Sequence, residues 1–485
     1  MSLIVSELST IATEKPAAVA LSDKYGALSW EAMLTEVNQL AAALQSFHGQ
    51  VVALAAENQS AWVLMDLACL KAGVILLPLP AFFSPAQQQH AIEQSGAVAV
   101  VVTQSLAQDG DVALSDRLYL RPVTAPHSAD IPAGTVKITF TSGSTGQPKG
   151  VCLSEMNQLN VARSLLARTA ISQARHLCIL PLSTLLENIA GVYTPLLSGG
   201  EVILKAAEEL GFNGSSGLDI RRLAAELDRV KPDSIILLPA LLSALIAYIR
   251  QGWQAPKNLK FIAVGGSRVG SGLLEAASEV GLPVYEGYGL SECSSVVSLN
   301  TALMNEVGTA GKVLPHLTVT IEDEEVVVCG NSFLGYVNEP DSWYLDRVYT
   351  GDIGFIDYNG YLHIMGRRKN LLISSFGRNI NPEWVESEIV ANPAIGQCIV
   401  LGDARPFCIA LIHLADNSLS DTEVDSWLAK VNSTLPDYAR VRHWLRMPEP
   451  LSPLTGTLTA NGKPVREQIE HFYYTDINHL YKEQA

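Results

Sequence analysis

The sequence predicts an α/β protein whose larger, N-terminal part contains mainly parallel βαβ sheets. First, short apolar runs alternate with helical patterns of about ten to fifteen residues, which is typical of parallel strands covered by helices. Second, 485 residues exceed what one hydrophobic core organises, so we expect at least two domains. Third, 48% hydrophobic residues with only 17% charged residues indicate a folded chain with a large buried interior.

The individual elements rest on periodicity and on their end signals. Ser29-Trp30-Glu31 is a helix start, Gly73 is a helix end, and Pro85 suits a first helical turn. In chain order the predicted elements are a hairpin over 19–28, a helix to Leu44, strand 51–54, helix 58–73, strand 74–79, helix 85–95, strand 98–102, a β-prone run over 136–140, helix 155–167, strand 176–180, helix 185–198, strand 201–204, helix 217–230, strand 234–238 and strand 282–285.

The pattern changes in the last third of the chain. After Gly308 it becomes short strands and turns, with β-rich stretches over 319–328 and 361–365, which predicts a β-rich subdomain. A small α+β segment follows from Asn379, with helices over 382–391 and 422–432 and strands over 398–402 and 408–413. Basic residues interrupt the pattern at 366–369, so we place the domain boundary there and predict domains 1–366 and 367–485.

Composition excludes several classes of function. A net charge of −16 argues against nucleic acid or an anionic membrane as a partner, because both require a basic surface. The seven cysteines are widely spaced without a CxxC pair, which predicts reduced thiols in a cytoplasmic protein. Residues 1–15 lack the pattern of a signal peptide. The most apolar segment, 235–249, is broken by Pro239 and is short for a membrane span.

The most informative stretch is Thr139-Phe140-Thr141-Ser142-Gly143-Ser144-Thr145-Gly146-Gln147-Pro148-Lys149-Gly150. Its glycines allow successive backbone N–H groups to face one anion, its hydroxyls add donors and a possible magnesium ligand, and Lys149 adds a positive charge. Gly150 stands where a Walker loop requires Ser or Thr, so a Walker-type ATPase is disfavoured. The alternative is a Ser/Gly-rich surface turn.

Two further motifs carry carboxylates after turns. In Tyr288-Gly289-Leu290-Ser291-Glu292, the acid suits Mg²⁺ beside phosphate oxygens and the ring suits stacking on a purine. In Thr350-Gly351-Asp352, the acid suits hydrogen bonds from ribose hydroxyls. Taken singly, each motif is also compatible with an ordinary exposed turn.

Together these stretches resemble the signature motifs of the adenylate-forming superfamily, which contains acyl-CoA synthetases, adenylation domains of peptide synthetases and luciferases. The loop over 139–150 resembles the family's first signature at every position. Four more stretches resemble family motifs in the same order: Tyr288 to Glu292 (Y-G-x-[ST]-E), Thr350 to Asp352 (T-G-D), Gly366-Arg367-Arg368-Lys369 (the hinge) and Leu458 to Arg466 (the catalytic-lysine motif); Val264-Gly265-Gly266-Ser267 resembles the glycines beside adenine.

The resemblance implies a role for each motif residue. Lys463 would bridge the substrate carboxylate and the α-phosphate as the catalytic lysine, Lys369 would be the hinge, and residues 367–485 would form a mobile lid. Thr145 and Glu292 would act in catalysis by holding Mg²⁺ at the phosphates. The implied ATP- and AMP-binding residues are Thr141, Ser142, Gly143, Ser144, Gly146, Lys149, Gly265, Gly266, Ser267, Tyr288, Gly289, Ser291, Asp352 and Arg367.

The resemblance also implies the reaction, in which ATP activates a carboxylic acid as an acyl-adenylate that then reacts with a thiol. Leu182 stands where amino-acid-activating relatives carry an aspartate, which disfavours amino acids. The aliphatic stretches 185–197 and 237–248, and a stretch over 77–84 that resembles bacterial fatty-acyl synthetases, favour a fatty acid with CoA. Thr184 replaces a frequent histidine and Phe376 replaces a frequent glycine, so an aryl acid and a carrier protein's phosphopantetheine remain alternatives. A catalytically silent nucleotide-binding sensor is the alternative of another class.

Overall fold

A computed structural model describes residues 2–123, 128–141, 148–213, 217–415, 419–459 and 462–482. Its α-helices are α1 (Leu3–Glu14), α2 (Trp30–Ala43), α3 (Ser60–Ala72), α4 (Pro85–Ser95), α5 (Glu155–Thr169), α6 (Thr194–Leu197), α7 (Ile220–Val230), α8 (Pro239–Arg250), α9 (Ser271–Glu279), α10 (Pro382–Ile389), α11 (Asp421–Thr434), α12 (Arg466–Phe472) and α13 (Tyr474–Lys482).

The strands of the first half are β1 (Val19–Asp23), β2 (Gly26–Ser29), β3 (Val51–Ala55), β4 (Ile75–Pro78), β5 (Ala99–Thr103), β6 (Val112–Ala113), β7 (Leu118–Pro122), β8 (Lys137–Thr141), β9 (Lys149–Leu153), β10 (Arg175–Cys178), β11 (Glu201–Leu204), β12 (Phe212–Asn213), β13 (Gly217–Leu218) and β14 (Ser234–Leu237). Those of the second half are β15 (Phe261–Val264), β16 (Val284–Tyr288), β17 (Ser298–Leu299), β18 (Lys312–Val313), β19 (Thr318–Glu322), β20 (Glu325–Cys329), β21 (Gly335–Tyr336), β22 (Arg347–Ile356), β23 (Leu362–Arg367), β24 (Leu372–Ile373), β25 (Asn379–Ile380), β26 (Ile395–Leu401), β27 (Cys408–Leu414) and β28 (Val441–Arg446).

Two large sheets organise the N-terminal part. A nine-stranded sheet has the order β18-β17-β16-β15-β14-β10-β11-β1-β2, with parallel pairs from β16 to β1. An eight-stranded sheet has the order β21-β9-β8-β4-β3-β5-β7-β6, with parallel pairs only from β8 to β5. The outer pairs of both sheets are antiparallel. The α/β class is therefore confirmed, with mixed sheets whose centres are parallel.

Several helix ends follow their sequence signals. Ser84 caps α4 and exchanges hydrogen bonds with Gln87 in a capping box, so the helix covers the predicted 85–95. Ser29 accepts a hydrogen bond from the Ala32 N–H at the start of α2. Gly73 ends α3 in the left-handed conformation.

The structure differs from the sequence prediction at several places, including the three that follow. The predicted helix over 185–198 contains a π-helix (Glu187–Tyr193), which precedes the short α6. The predicted helix over 217–230 starts at Ile220, because 217–218 form a strand and Asp219 caps the helix. Residues 3–14, for which no element was predicted, form α1.

The residues after the predicted boundary have hydrophobic clusters of their own. Strands β26, β27 and β28 form one sheet, and the buried members of two clusters all lie beyond residue 371. Within the described ranges, no helix combines the length and apolar character that a membrane crossing requires.

Candidate active site

The candidate site begins at the carboxyl ends of neighbouring strands in the nine-stranded sheet. Gly265 and Gly266 follow β15, and Tyr288 is the last residue of the adjacent β16. A Cβ atom on Gly265 would lie 2.9 Å from the backbone oxygen of Gly287, so a side chain there would crowd the neighbouring strand. Gly266 and Ser267 are exposed. Ligands of open α/β sheets bind in such crevices outside the carboxyl ends of strands.

Tyr288 connects this crevice to the four-stranded sheet of β19, β20, β22 and β23. Its hydroxyl donates to Asp352 Oδ2 at 2.6 Å, and Arg367 Nε lies 2.9 Å from Asp352 Oδ1. Asp352 and Arg367 are directly opposite each other in the antiparallel pair of β22 and β23. Three residues predicted from three separate motifs therefore form one contiguous group.

The electrostatics of this group are those of a buried acid with a cationic partner. Burial raises the pKa of Asp352, while the charge of Arg367 and the hydrogen bond from Tyr288 act in the opposite direction. Burial and the adjacent Asp352 raise the pKa of Tyr288 well above its ordinary value, so the phenol stays a donor.

The turn after Tyr288 presents Glu292. A Cβ atom on Gly289 would lie 1.5 Å from the backbone oxygen of Ser295, so this turn requires glycine at that position. Ser291 begins the one-turn 3-10 helix that contains Glu292. Glu292 Oε1 accepts a hydrogen bond from the hydroxyl of Tyr336 at 2.8 Å.

Lys149 lies beside the same tyrosine. It is the first residue of β9 and is paired with Thr141 at the end of β8, so the two strands bracket the predicted phosphate loop. Its Nζ lies 2.7 Å from Glu339 Oε1 and 4.9 Å from the centre of the Tyr336 ring. The predicted loop residues Ser142, Gly143, Ser144, Thr145 and Gly146 lie outside the described residues.

Sequence reasoning missed two residues of this site, Tyr336 and Glu339. Tyr336 connects two predicted site residues, because its hydroxyl binds Glu292 and its ring lies under Lys149. Glu339 forms the ion pair with Lys149. Neither residue is part of a motif used in the prediction, and only the pairing of the short β21 with β9 brings them to Lys149.

The two predicted lysines of the C-terminal part occupy turns. Lys463 follows Gly462, and its backbone N–H donates to the hydroxyl of Thr459 at 3.0 Å, which fixes the turn. The charge of Lys463 is close enough to Asp352 to lower the pKa of that acid. Lys369 is exposed in a single 3-10 turn (Arg368–Asn370) between β23 and β24.

Glu292 is the described residue whose surroundings bear on a Mg²⁺ site. Glu292 is half-buried, and its Oε1 accepts the bond from Tyr336, whereas Oε2 has no hydrogen bond to any described residue. One carboxylate oxygen is enough protein ligand for Mg²⁺ when phosphate and water oxygens complete the shell. The residue fits the ion, while the second predicted ligand, Thr145, lies outside the described residues.

Comparison with known protein families gives two matches that together cover most of the chain. Residues 8–335 match the family described as AMP-binding enzyme. Residues 369–485 match the family described as AMP-binding enzyme C-terminal domain.

Individual relatives are distant but extend over nearly the whole chain. A long-chain-fatty-acid–CoA ligase of Mycobacterium bovis is 25% identical, covering 90% of this chain and 88% of the relative. A feruloyl-CoA synthase of an Amycolatopsis species is 28% identical, covering 85% of this chain and 89% of the relative. The solved structure of the anthranilate CoA ligase AuaEII in complex with anthranoyl-AMP superposes on this chain with a TM-score of 0.83. The two chains are 18% identical in sequence, and the superposition covers 96% of each, so the similarity is one of fold.

Proposed function

The chain belongs to the AMP-binding enzyme family of adenylate-forming ligases, and from that premise we propose that it joins an apolar carboxylic acid, most of all a fatty acid, to CoA. The acid would attack the α-phosphorus of ATP, which forms an acyl-adenylate and releases pyrophosphate. The thiol of CoA would then attack the acyl carbon, which forms the thioester and releases AMP.

The single observation that carries the proposal is the convergence of residues from four motifs on one crevice. Tyr288 joins the crevice to Asp352 and Arg367, and Tyr336 joins Glu292 to Lys149. A nucleoside triphosphate needs contacts for its base, its ribose and its phosphates, and these residues supply two aromatic rings, two acids and two cations.

Each residue has a proposed task in adenylation. Asp352 would accept hydrogen bonds from the ribose hydroxyls, and the charge of Arg367 acts against the burial that raises the pKa of this acid. Lys149 would exchange Glu339 for phosphate oxygens. Lys463 would neutralise the two anions that must approach each other, the substrate carboxylate and the α-phosphate.

Glu292 would hold Mg²⁺ at the phosphates through Oε2, with Tyr336 fixing the carboxylate through Oε1. When bound, the ion supplies positive charge to the phosphate oxygens of ATP. The loop residues 141–146 are proposed as further phosphate and metal contacts, and Lys369 as the hinge between domains 1–366 and 367–485.

An apolar acid is supported by the side chains beside the site. Leu182 is fully buried, so this position offers no partner for the ammonium group of an amino acid. Leu186 and Ala190 pack against a buried cluster that contains Leu237 and Leu241, which brings the two aliphatic stretches together. An aryl acid is the second candidate, because the feruloyl-CoA synthase is 28% identical to this chain, against 25% for the fatty-acid ligase, which matches more of the chain.

CoA is the proposed acceptor, because both relatives described above form CoA thioesters by name. Phe376 is 77% exposed on the turn between β24 and β25, where it could contact the pantetheine arm of either CoA or a carrier protein.

The experiment that tests the proposal measures pyrophosphate release with ATP, Mg²⁺ and a series of acids. The series contains saturated fatty acids of increasing length, ferulate, anthranilate and amino acids, each with and without CoA, and hydroxylamine traps the adenylate. Release that peaks with one fatty chain length and turns over faster with CoA is the expected result.

Other outcomes would overturn parts of the proposal. Pyrophosphate release that is fastest with ferulate would identify an aryl acid, and not a fatty acid, as the substrate. Trapped adenylate whose consumption CoA does not accelerate would exclude CoA and favour a carrier protein. Binding of ATP without release for any acid would contradict ligase activity and favour the nucleotide sensor.

A further inference from the structure

The two proposed domains meet at a close contact between helices α9 and α10. On the N-terminal side lie Gly270, Ser271 and Gly272 at the start of α9, and on the C-terminal side lie Ser387 and Glu388 in the last turn of α10, with Ala391 just after it. We call this contact the α9–α10 seam. It is formed in the same structure in which the charge of Lys463 acts on Asp352.

Glu388 supplies the cap that α9 lacks. The N-cap residue of α9 is Gly270, which has no side chain to bind the first N–H groups. Glu388 Oε1 instead accepts hydrogen bonds from the Ser271 backbone N–H at 3.4 Å and from its hydroxyl at 3.2 Å. A carboxylate at a helix N-terminus also interacts favourably with the helix dipole. A residue from the other proposed domain therefore accepts the hydrogen bond from a backbone N–H at the N-terminus of α9.

The two glycines set how closely the helices approach. A Cβ atom on Gly270 would lie 2.7 Å from the backbone oxygen of Ser387, a distance that requires α10 to move away. A Cβ atom on Gly272 would lie 3.7 Å from the Cβ of Ala391, which is an ordinary contact. Gly270 has φ −67° and ψ 141°, so an alanine would fit the backbone there and would be opposed only by α10.

Polar contacts extend the seam toward the predicted hinge. Arg268 donates to the backbone oxygen of Ile364 in β23 at 2.9 Å, and Glu388 and Glu383 of α10 lie near its guanidinium. Asn370, beside Lys369, donates to Glu383 Oε1 at 2.6 Å. These contacts connect α10, the hinge turn and the strand that carries Arg367.

We infer that the α9–α10 seam is a latch that holds the C-terminal domain in the orientation that presents Lys463 to Asp352, with Glu388 and Gly270 as its positioning residues. The inference rests on the proposed function, because the role of the seam is to favour adenylation over thioester formation. Rotation of the C-terminal domain would move Glu388 away from Ser271, and water would then bind the N–H groups in the first turn of α9. The seam thus contributes to the energy difference between the two orientations.

The first test separates the two half-reactions in matched glycine variants. The probe acids are octanoate and ferulate, and the synthetic adenylate of the same acid starts the second half-reaction. In Gly270→Ala we expect single-turnover pyrophosphate release to slow about fivefold, while thioester formation from the adenylate stays within about twofold of wild type. Gly272→Ala is the control and should change neither rate.

Removal of the interdomain cap should have the same signature. Glu388→Ala should slow adenylation about fivefold, whereas Glu388→Gln, which keeps an acceptor oxygen, should lose less than the alanine variant. Equal slowing of both half-reactions in Gly270→Ala and Glu388→Ala would assign the seam a merely structural role and overturn the inference.

The second test starts with a cross-link that forms without any substrate. The Cβ separation of 3.7 Å between positions 272 and 391 suits a disulfide, so Gly272→Cys with Ala391→Cys should cross-link under mild oxidation. The locked protein should form the adenylate but not the thioester, and reduction should restore transfer; each single variant is the control. Failure to cross-link would show that the seam is not populated in solution. If wild type is inactive with both acids while the double-cysteine variant cross-links readily, the proposed function is refuted for these acids and the seam is left standing.

Discussion

At the scale of single residues, two tyrosines organise the candidate site. Tyr288 joins the end of β16 to Asp352, and Tyr336 joins Glu292 to the surroundings of Lys149. In both cases a phenol donates to a carboxylate, and the pKa of each phenol is raised. The acids are thereby held in fixed positions before any ligand is bound.

Replacing Tyr336 with phenylalanine should weaken the use of ATP. The variant keeps the ring under Lys149 but removes the hydrogen bond that orients Glu292. We expect kcat/KM for ATP to fall about tenfold, which corresponds to the loss of one hydrogen bond to a charged group. Tyr358→Phe, at a fully exposed tyrosine, is the control. An unchanged kcat/KM for ATP in Tyr336→Phe would show that the hydrogen bond from Tyr336 to Glu292 does not contribute to the use of ATP.

Glu339 should compete with ATP for Lys149. Its carboxylate lies 2.7 Å from Nζ, and both side chains are partly exposed, so the pair is weak and exchangeable. We expect Glu339→Gln to lower KM for ATP about two- to threefold, with a smaller effect at high salt. Asp341→Asn, at an exposed acid nearby, should leave KM unchanged. A higher KM in Glu339→Gln would mean that the acid itself binds the substrate or its metal.

What the sequence could predict at this scale depended on motifs. Glu292, Asp352 and Arg367 stand in short patterns whose chemistry is recognisable, and the structure brings Asp352 and Arg367 together as neighbours on paired strands. Tyr336 and Glu339 could not be found in this way, because their role follows from the pairing of β21 with β9 between residues nearly two hundred positions apart.

At the scale of elements, the π-helix over 187–193 departs from the α-helix that the sequence predicts. Asn188 and Tyr193 bind a fully buried ion pair in which Lys137 Nζ lies 2.9 Å from Asp66 Oδ1. Lys137 begins β8, the strand that leads to the predicted phosphate loop. This network therefore connects α3, β8 and the π-helix across the core.

Breaking this pair should destabilise the protein strongly. Lys137→Met leaves Asp66 charged and buried without its cation, which we expect to lower the free energy of unfolding by about 3–5 kcal/mol. Lys260→Met, which breaks an exposed pair with Asp233, should cost less than about 1 kcal/mol. Urea unfolding of the two variants measures both values. A loss below 1 kcal/mol in Lys137→Met would show that Asp66 is satisfied by Asn188 and Tyr193 alone.

The sequence predicted regular α-helices better than it predicted the π-helix. Capped helices such as α4 follow from local signals at their own ends. The π-helix does not, because its hydrogen bonding is decided by buried partners on β8, β10 and α3, including His176, which lies 3.0 Å from Glu187. Periodicity alone predicted an α-helix there, since both helix types share one apolar face.

At the scale of the whole molecule, the stability of the fold should depend on pH through Glu286 in β16. Burial raises the pKa of Glu286 to about 8 in spite of the nearby Arg268 and a hydrogen bond from the Val269 N–H. The unfolded chain releases this proton near pH 4.3, so between these values the unfolded state binds fewer protons and the free energy of unfolding falls as pH rises.

Glu286→Gln should remove that dependence. We expect wild type to lose up to about 1.4 kcal/mol per pH unit more than the variant between pH 5 and 8, so the variant should be the more stable protein at pH 8. Urea unfolding at pH 5, 6.5 and 8 measures the difference. Parallel pH profiles for the two proteins would mean that Glu286 is ionised in the folded state.

Membership in the adenylate-forming superfamily could be predicted from motif order over the whole chain, and the family matches confirm it. The sequence also predicted the α/β class but not the antiparallel edges of the two sheets, because strand order depends on long-range pairing. The division at 366–369 and the mobility of residues 367–485 stay predictions, which the seam variants address.

In the proposed reaction, the carboxylate of the acid attacks ATP at its α-phosphorus. The direct measurement uses the best acid found for wild type, labelled with ¹⁸O in its carboxylate, with ATP, Mg²⁺ and CoA, followed by mass spectrometry of the products. An acyl-adenylate route transfers one labelled oxygen to AMP in every turnover, since the thiol displaces the acid oxygen that was bonded to phosphorus. Label in inorganic phosphate with ADP as product, or no label in AMP, would contradict the acyl-adenylate route.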